Sequence, residues 1–511
     1  DGITLISIMQ EYLHQDNTIE RWINEKFKSF DLQKYLSHRH NLIWMAEAAP
    51  RAFLQFIEND IANGSFILNE LFVIRKEQLS LTGTAIYYAE LLRCLECIAW
   101  HEDYLPQVTR LLLHMCEYPN DSNWVNRPSN SLKNIYRFVL PGTLASVSKR
   151  ISILKGLQQS YPAAVHSLCF DWLKGLHDTV WGNTAYFRWR WLAQKPENPT
   201  HASLYPEYTI LHEIYDIMMV DFPWTEKKVV DLLDLSMHKY MNSLRADIIT
   251  ALRIHIDKIK GNDTICDELR QEIFRHMEYP DTCWALSNDE LQLYKDLLYD
   301  LTLQDIVNAN KHYFKSIFMY NPEVGLSHLS DNQFERGVQL QVEIEGRIIQ
   351  ERGLDGIWEL VSVAKSVEAV ANGFTGLTED KYYKLVYNKY CDGELCVNFV
   401  KRYYSNLYNK YGSEAYMNYL TDLLEINIEK IAVVLYAPTY RRNFADVVER
   451  QLETVSMEYW KNVQVLEFED DDVFKVNVHN NRHNRNNNYI NKVSVTANCG
   501  EVTCRNRIDN V

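Results

Sequence analysis

Over residues 85–173, apolar runs of helical period alternate with short polar breaks. That alternation constrains the fold more than any other feature of this 511-residue chain. Leu91, Leu92, Leu95, Ile98 and Ala99 recur at the i, i+3, i+4 spacing of one helix face. A break at residues 101–104 follows. Leu105, Val108, Leu111, Leu112 and Met115 then mark a second helix, with Pro106 near its start, where a missing N–H costs little. Residues 121–132 form a polar connector, and residues 144–161 and 163–173 supply two more helical segments. Helix, break, helix, repeated, is the construction of an α-solenoid, which grows in one dimension where a single core cannot span so long a chain. Gly (18) and Pro (13) are scarce, which favours long helices joined by short turns. Period and length drift from unit to unit, so the predicted fold is all-α: an irregular right-handed α-solenoid of HEAT-like or tetratricopeptide-like helix pairs. Residues 3–462 are expected to be overwhelmingly helical.

The organisation reads as follows. Residues 1–176 are N-terminal helical repeats, with Ile8, Tyr12, Ile19, Trp22, Ile23 and Phe27 among their apolar stripes. Residues 177–207 are an ordered Trp- and Pro-rich loop, since Pro196, Pro199 and Pro206 stop helices while Trp181, Phe187, Trp189 and Trp191 gain by burial. Residues 208–330 and 331–466 are middle and C-terminal repeats. Within them Ser287, followed by Asp289 and Glu290, reads as a helix N-cap with acids in the first turn. Gly353, Gly373, Gly376, Gly393 and Gly412 fall near plausible helix ends. Residues 467–511 form a polar, Asn-rich tail, expected to be disordered or to hold short strands around Val493 and Val495.

The net charge of −15 argues against a general nucleic-acid-binding surface. No apolar run reaches the ~18 residues of a membrane span, and no signal peptide is visible at the start. Ten Cys scattered through a chain of this size fit a reducing cytoplasm. The chain opens at Asp1 and not Met, which reads as an excised piece or a processed product.

Catalytic and cofactor signatures are missing. No Gly-Lys dipeptide occurs, so there is no phosphate-cradling P-loop, and there is no G-x-S-x-G elbow. His101-Glu102 and His212-Glu213 begin like H-E-x-x-H, but Leu105 and Asp216 stand where the second His belongs. Cys94 and Cys97 are spaced C-x-x-C within an apolar helical run, which reads as a core pair. Cys391/Cys396 with Cys499/Cys504 would make a zinc site only if the tail folded back across the chain. No cofactor, metal or catalytic residue is assigned. The strongest polar constellation is His177 with Asp178, near Arg188, Trp189 and Arg190. A His beside a carboxylate suits acid–base work, and two Arg in a Trp-rich loop suit gripping a carboxylate or a peptide. Asn126 and Arg127 in the polar connector are the second candidate binding group. The plainer reading of both groups is structural: a loop pinned by charge pairs and stacked Trp, and a connector that satisfies helix ends.

The stretch from Leu95 through Trp100 to Leu105, then Asn123-Trp124-Val125-Asn126-Arg127-Pro128-Ser129-Asn130-Ser131-Leu132, resembles a segment shared by large bacterial proteins. So do His177-Asp178-Thr179 with Arg188-Trp189-Arg190, Arg275-His276 through Pro280-Asp281 to Trp284-Ala285-Leu286, and Tyr440-Arg441-Arg442 to Tyr459-Trp460. The proteins they resemble are anti-phage STAND-type NTPases and sirtuin-like defence proteins, in which an effector or nucleotide-binding module precedes a long helical repeat region. The resemblance covers residues 38–463 and implies a sensor or scaffold arm, with catalysis in a module outside this sequence. No catalytic residue carries over, because none of the effector motifs is present.

The function expected from these readings is a non-catalytic sensor or scaffold that recognises a protein, a phage protein being the candidate, and couples it to the effector module. The rivals are an enzyme of unfamiliar type centred on His177, Asp178, Arg188 and Arg190, and an oligomerisation scaffold. A pocket joining His177 to Asp178 would favour the enzyme, and a broad face of exposed aromatics would favour recognition.

Overall fold

The structure is a computed structural model that describes residues 2–73, 79–80, 83–84, 87–118, 126–177, 185–191, 208–377, 382–448 and 450–464. Those residues are helical almost throughout. One short hairpin interrupts them, with Leu79–Ser80 antiparallel to Gly83–Thr84 and Leu79 opposite Thr84. The strands anticipated in the tail, and the whole of residues 467–511, lie outside the described residues.

The chain divides into two compact units, residues 1–252 and 253–511. The division falls within helix Asn242–Ile254. In each unit, helices near one another in the chain, consecutive or separated by one or two others, pack on each other, as expected of repeat stacking. In the first, helix Leu42–Ala48 lies against Gly2–Tyr12, Pro50–Ala62 and Ala89–Ala99, and Ala89–Ala99 continues onto Leu105–Met115 and Pro128–Tyr136. In the second, Gln333–Val363 packs on Val367–Leu377, which packs on Val397–Leu424.

Local signals set the helix limits. Pro50, Pro106, Pro128 and Pro162 each stand in the first turn of a helix. Ser287 and Glu290 form a complete capping box at the start of Asn288–Leu301, as the sequence predicted. Leu91, Leu92, Leu95, Ile98 and Ala99 are buried on one face of Ala89–Ala99. Cys94 and Cys97 are buried with them, and burial pushes the Cys97 thiol up to about 12. Both are core residues.

The high tyrosine content has a structural use. Tyr35, Tyr387, Tyr404 and Tyr416 are buried, and each donates its hydroxyl to a backbone carbonyl: Tyr87 at 2.9 Å, Asn427 at 2.5 Å, Tyr383 at 2.7 Å and Val434 at 2.7 Å. A buried phenol that finds a carbonyl keeps its hydrogen bond while its ring fills the core.

The glycines divide by role. Gly353 and Gly412 take φ of 67° and 80° inside Gln333–Val363 and Val397–Leu424, so each joins two helical pieces at a kink. Gly393 follows the end of Tyr383–Cys391, as expected. Gly376 falls one residue before the end of Val367–Leu377, near a helix end as expected, whereas Gly373 lies inside that helix. A Cβ at Gly373 would come 2.8 Å from the Glu345 carboxylate, and one at Gly376 would come 2.6 Å from the Val342 side chain. Both are needed for close approach between helices.

Candidate functional site

Residues 185–191 return to the first unit and are tied to it. The carboxylate of Glu47, fully buried near the end of helix Leu42–Ala48, accepts the backbone N–H of Arg190 at 2.8 Å and that of Trp189. Arg190 is only 4% exposed. Its Nε donates to the Glu47 carbonyl at 2.6 Å, its Nη2 to the Ala48 carbonyl at 3.3 Å, and its Nη1 to Glu11 Oε2 at 2.6 Å. A guanidinium at a helix C-terminus satisfies orphan carbonyls and complements the helix dipole. Tyr186 meets Trp100 at 5.2 Å, and Trp191 meets His101, Tyr104 and Phe187 at 4.9, 5.6 and 5.7 Å.

The residues proposed from sequence therefore separate. Arg190 was a candidate binding residue, with a loop pinned by charge pairs as the plainer reading. It is committed to internal bonds of the plainer kind, donating to the end of helix Leu42–Ala48 and pairing with Glu11. Arg188 and Trp189 face solvent, the guanidinium 5.0 Å from the indole. Trp189, expected to be buried, is 37% exposed, while Phe187 is buried. His177 ends the turn Gly175–His177 after helix Pro162–Lys174; its side chain, Asp178, Trp181 and residues 192–207 lie outside the described residues. Arg127 precedes helix Pro128–Tyr136, where its carbonyl accepts the Ser131 N–H at 3.0 Å, and Asn126 is exposed beside it. The connector's side chains were expected to cap helix ends, but this helix has no side-chain cap among the described residues; Ser131 Oγ bonds Glu96 at 2.6 Å instead. Trp189→Ala is expected to cost about 1 kcal/mol or less, in the range of surface changes. A denaturant melt beside the parent checks it, and a shift of several kcal/mol would mean that the ring is buried.

Two solvent-facing apolar surfaces stand out, one in each unit. Helix Gly2–Tyr12 is inside out: it buries Thr4 and Ser7 and exposes Ile3, Ile6, Met9 and Tyr12, with Leu13 beyond. Ser7 Oγ donates to the Ala48 carbonyl at 2.6 Å, and Thr4 Oγ1 to that of Trp44 at 3.4 Å. Hydroxyls thus dock the helix, and its apolar stripe, Tyr12 included, faces water where the sequence placed it inward.

The second surface is aromatic. Phe318 (62% exposed), Tyr320, Leu329 (69%) and Phe334 are all exposed. Phe318 and Phe334 meet at 5.6 Å. Tyr320 packs edge-on against His328 at 5.7 Å, His328 lies 5.3 Å from Tyr279, and Tyr279 lies 6.3 Å from Trp284. Arg275 sits 4.8 Å over Trp284, and His328 Nδ1 lies 3.2 Å from Glu278, fixing that group. The conspicuous segment Arg275 to Leu286 supplies Tyr279 and Trp284. The other rings come from residues 318–334, for which no sequence signal was read. Solitary exposed aromatics look the same in sequence whether or not the fold gathers them.

Comparison with protein-family models, with curated proteins and with solved structures finds no match to this chain in any of the three. Among the described residues no helix is long and apolar enough to cross a membrane.

Proposed function

We propose that this chain is a non-catalytic helical-repeat region that recognises a protein in the bacterial cytoplasm and passes that event to an effector module. The observation that carries the reading is two groups of rings in the second unit, the exposed pair Phe318 and Phe334, and the exposed Tyr279, Tyr320 and His328 beside the half-buried Trp284. Contiguous exposed apolar surface is costly in water and marks interaction sites, and aromatics dominate interface energetics. Exposed acids flank the rings in sequence: Asp281, Glu323, Asp331 and Glu335 against Arg336. The partner that fits presents aliphatic or aromatic anchors bordered by basic residues. The resemblance to anti-phage proteins makes phage proteins the first to try. The outward stripe of Gly2–Tyr12 supports the same reading as a second docking face on the first unit.

The test titrates individually purified phage proteins against the whole chain and against Phe318→Ala/Phe334→Ala. Both rings face solvent, so the variant's stability should stay within about 0.5 kcal/mol of the parent. Loss of about tenfold or more in affinity for a bound protein is the expected result. A protein that binds both forms equally would sink the assignment to this face. Self-association that the variant abolishes would make a second copy the occupant and overturn the phage reading.

A further inference from the structure

The second unit also holds a charged cleft, independent of the partner reading. Helix Asp263–Glu278 begins after Gly261 with an Asn262 cap, and its first two turns carry Asp263, Cys266, Asp267 and Arg270. Facing them are Lys311 and His312 of the turn Lys311–Phe314, then Lys315, and from beyond Gln333–Val363 comes Lys365. Together they line a cleft open to solvent.

The charges in it do not balance. Asp267 alone answers three cations: Lys315 at 2.5 Å, Lys365 at 2.8 Å and Arg270 at 3.2 Å. Asp263 answers Lys311 at 2.8 Å. Four cations face two carboxylates, in a chain whose net charge is −15. Burial holds Lys315 and Arg270 below their usual pKa even with Asp267 beside them. Burial alone would raise the Asp267 carboxyl, but Lys315 and Lys365 carry it below its usual value. His312 is pushed down to about 3, first by burial and then by the Arg270 and Lys315 charges. The neighbouring cations are thus felt at Asp267, His312 and Lys315, while Lys365, bonded to Asp267, is raised by that carboxylate. The first turn of Asp263–Glu278 lines the same cleft, and the positive end of a 16-residue helix adds to the field.

We propose that this cleft binds a compact dianion, inorganic phosphate or a phosphate monoester, which supplies the negative charge the two carboxylates leave missing. Lys311, Lys315 and Lys365 are the ligating ammonium groups, and the Arg270 guanidinium, also bonded to Thr302 at 3.3 Å, forms the fixed wall. Asp263 and Asp267 repel anions, so the ligand must share lysines that they now hold. That requirement favours a dianion over chloride.

The experiment titrates the whole chain with inorganic phosphate at constant ionic strength, chloride making up the balance, and reads heat and melting temperature. Saturable binding is expected, with the melting temperature rising as phosphate exceeds its dissociation constant. Lys311→Ala/Lys365→Ala, two lysines at the cleft mouth, should weaken binding about fivefold or more, and Lys311→Arg/Lys365→Arg should restore most of it. A parallel titration with glycerol phosphate separates the sources. Equal or tighter binding assigns an ester, and binding of inorganic phosphate alone assigns the free ion. Phosphate that stabilises no more than chloride, or an alanine variant that binds as tightly as the parent, overturns the proposal.

Discussion

Arg190→Ala is expected to destabilise the first unit by about 3–5 kcal/mol, the scale for removing one partner of a buried charged network. The guanidinium reaches Glu47, Ala48 and Glu11 across more than 140 residues of chain, and alanine would take the donor from the Glu47 carbonyl and leave the Ala48 carbonyl only the Ser7 hydroxyl. It would also leave the buried Glu47 carboxylate, whose Oε2 already has no hydrogen-bond partner among the described residues, with less positive charge nearby. Arg190→Lys should recover less than half of the loss, because one ammonium cannot reproduce three bonds from a planar fork. Arg188→Ala, on the solvent side of the same strand of chain, should stay within about 0.5 kcal/mol of the parent. Urea melts of the three variants read the difference. An Arg190→Ala midpoint equal to that of Arg188→Ala would mean that residues 185–191 are not held as described, and would return Arg190 to the candidate binding residues.

Glu345→Met is expected to do the opposite and stabilise the second unit by about 1–3 kcal/mol, the scale of leaving a buried polar group unsatisfied. Glu345 is fully buried in Gln333–Val363 against Gly373, and neither carboxylate oxygen has a hydrogen-bond partner among the described residues. Burial pushes its carboxyl well above the usual range. The sign of the pH effect follows. Below about pH 4, the carboxyl is protonated in both folded and unfolded chains and costs nothing extra. As pH rises past that value the unfolded chain ionises while the folded one keeps its proton, so this group's contribution falls until the folded pKa is reached. The advantage of Glu345→Met should therefore grow from about pH 4 towards neutrality. Chemical denaturation at both ends of that window tests it. A variant less stable than the parent at neutral pH would mean that the carboxylate has a partner the fold conceals.

The sequence by itself determined the helices. The period of Leu91, Leu92, Leu95 and Ile98, the capping box at Ser287 and the prolines in first turns act over one or two turns of chain, where the i to i+4 ladder and its caps are decided. For the same reason the Cys94/Cys97 pair could be assigned to the core from its place on an apolar face. Gly393 was legible as a helix end, but Gly373 and Gly376 were not legible as contact points, since their use depends on Glu345 and Val342 of another helix. Composition could show that Trp and Phe of the loop gain by burial. It could not show that Phe187 turns inward while Trp189 stays out, nor that Arg190 would be claimed by Glu47 some 143 residues away. The inverted face of Gly2–Tyr12, the ring groups from Tyr279 to Phe334 and the cleft around Asp267 were likewise decided only when separate helices met. Periodicity records which residues share a face, and tertiary packing decides which faces are covered and which charges are brought within about 3 Å of one another, where desolvation and Coulomb energy set their roles.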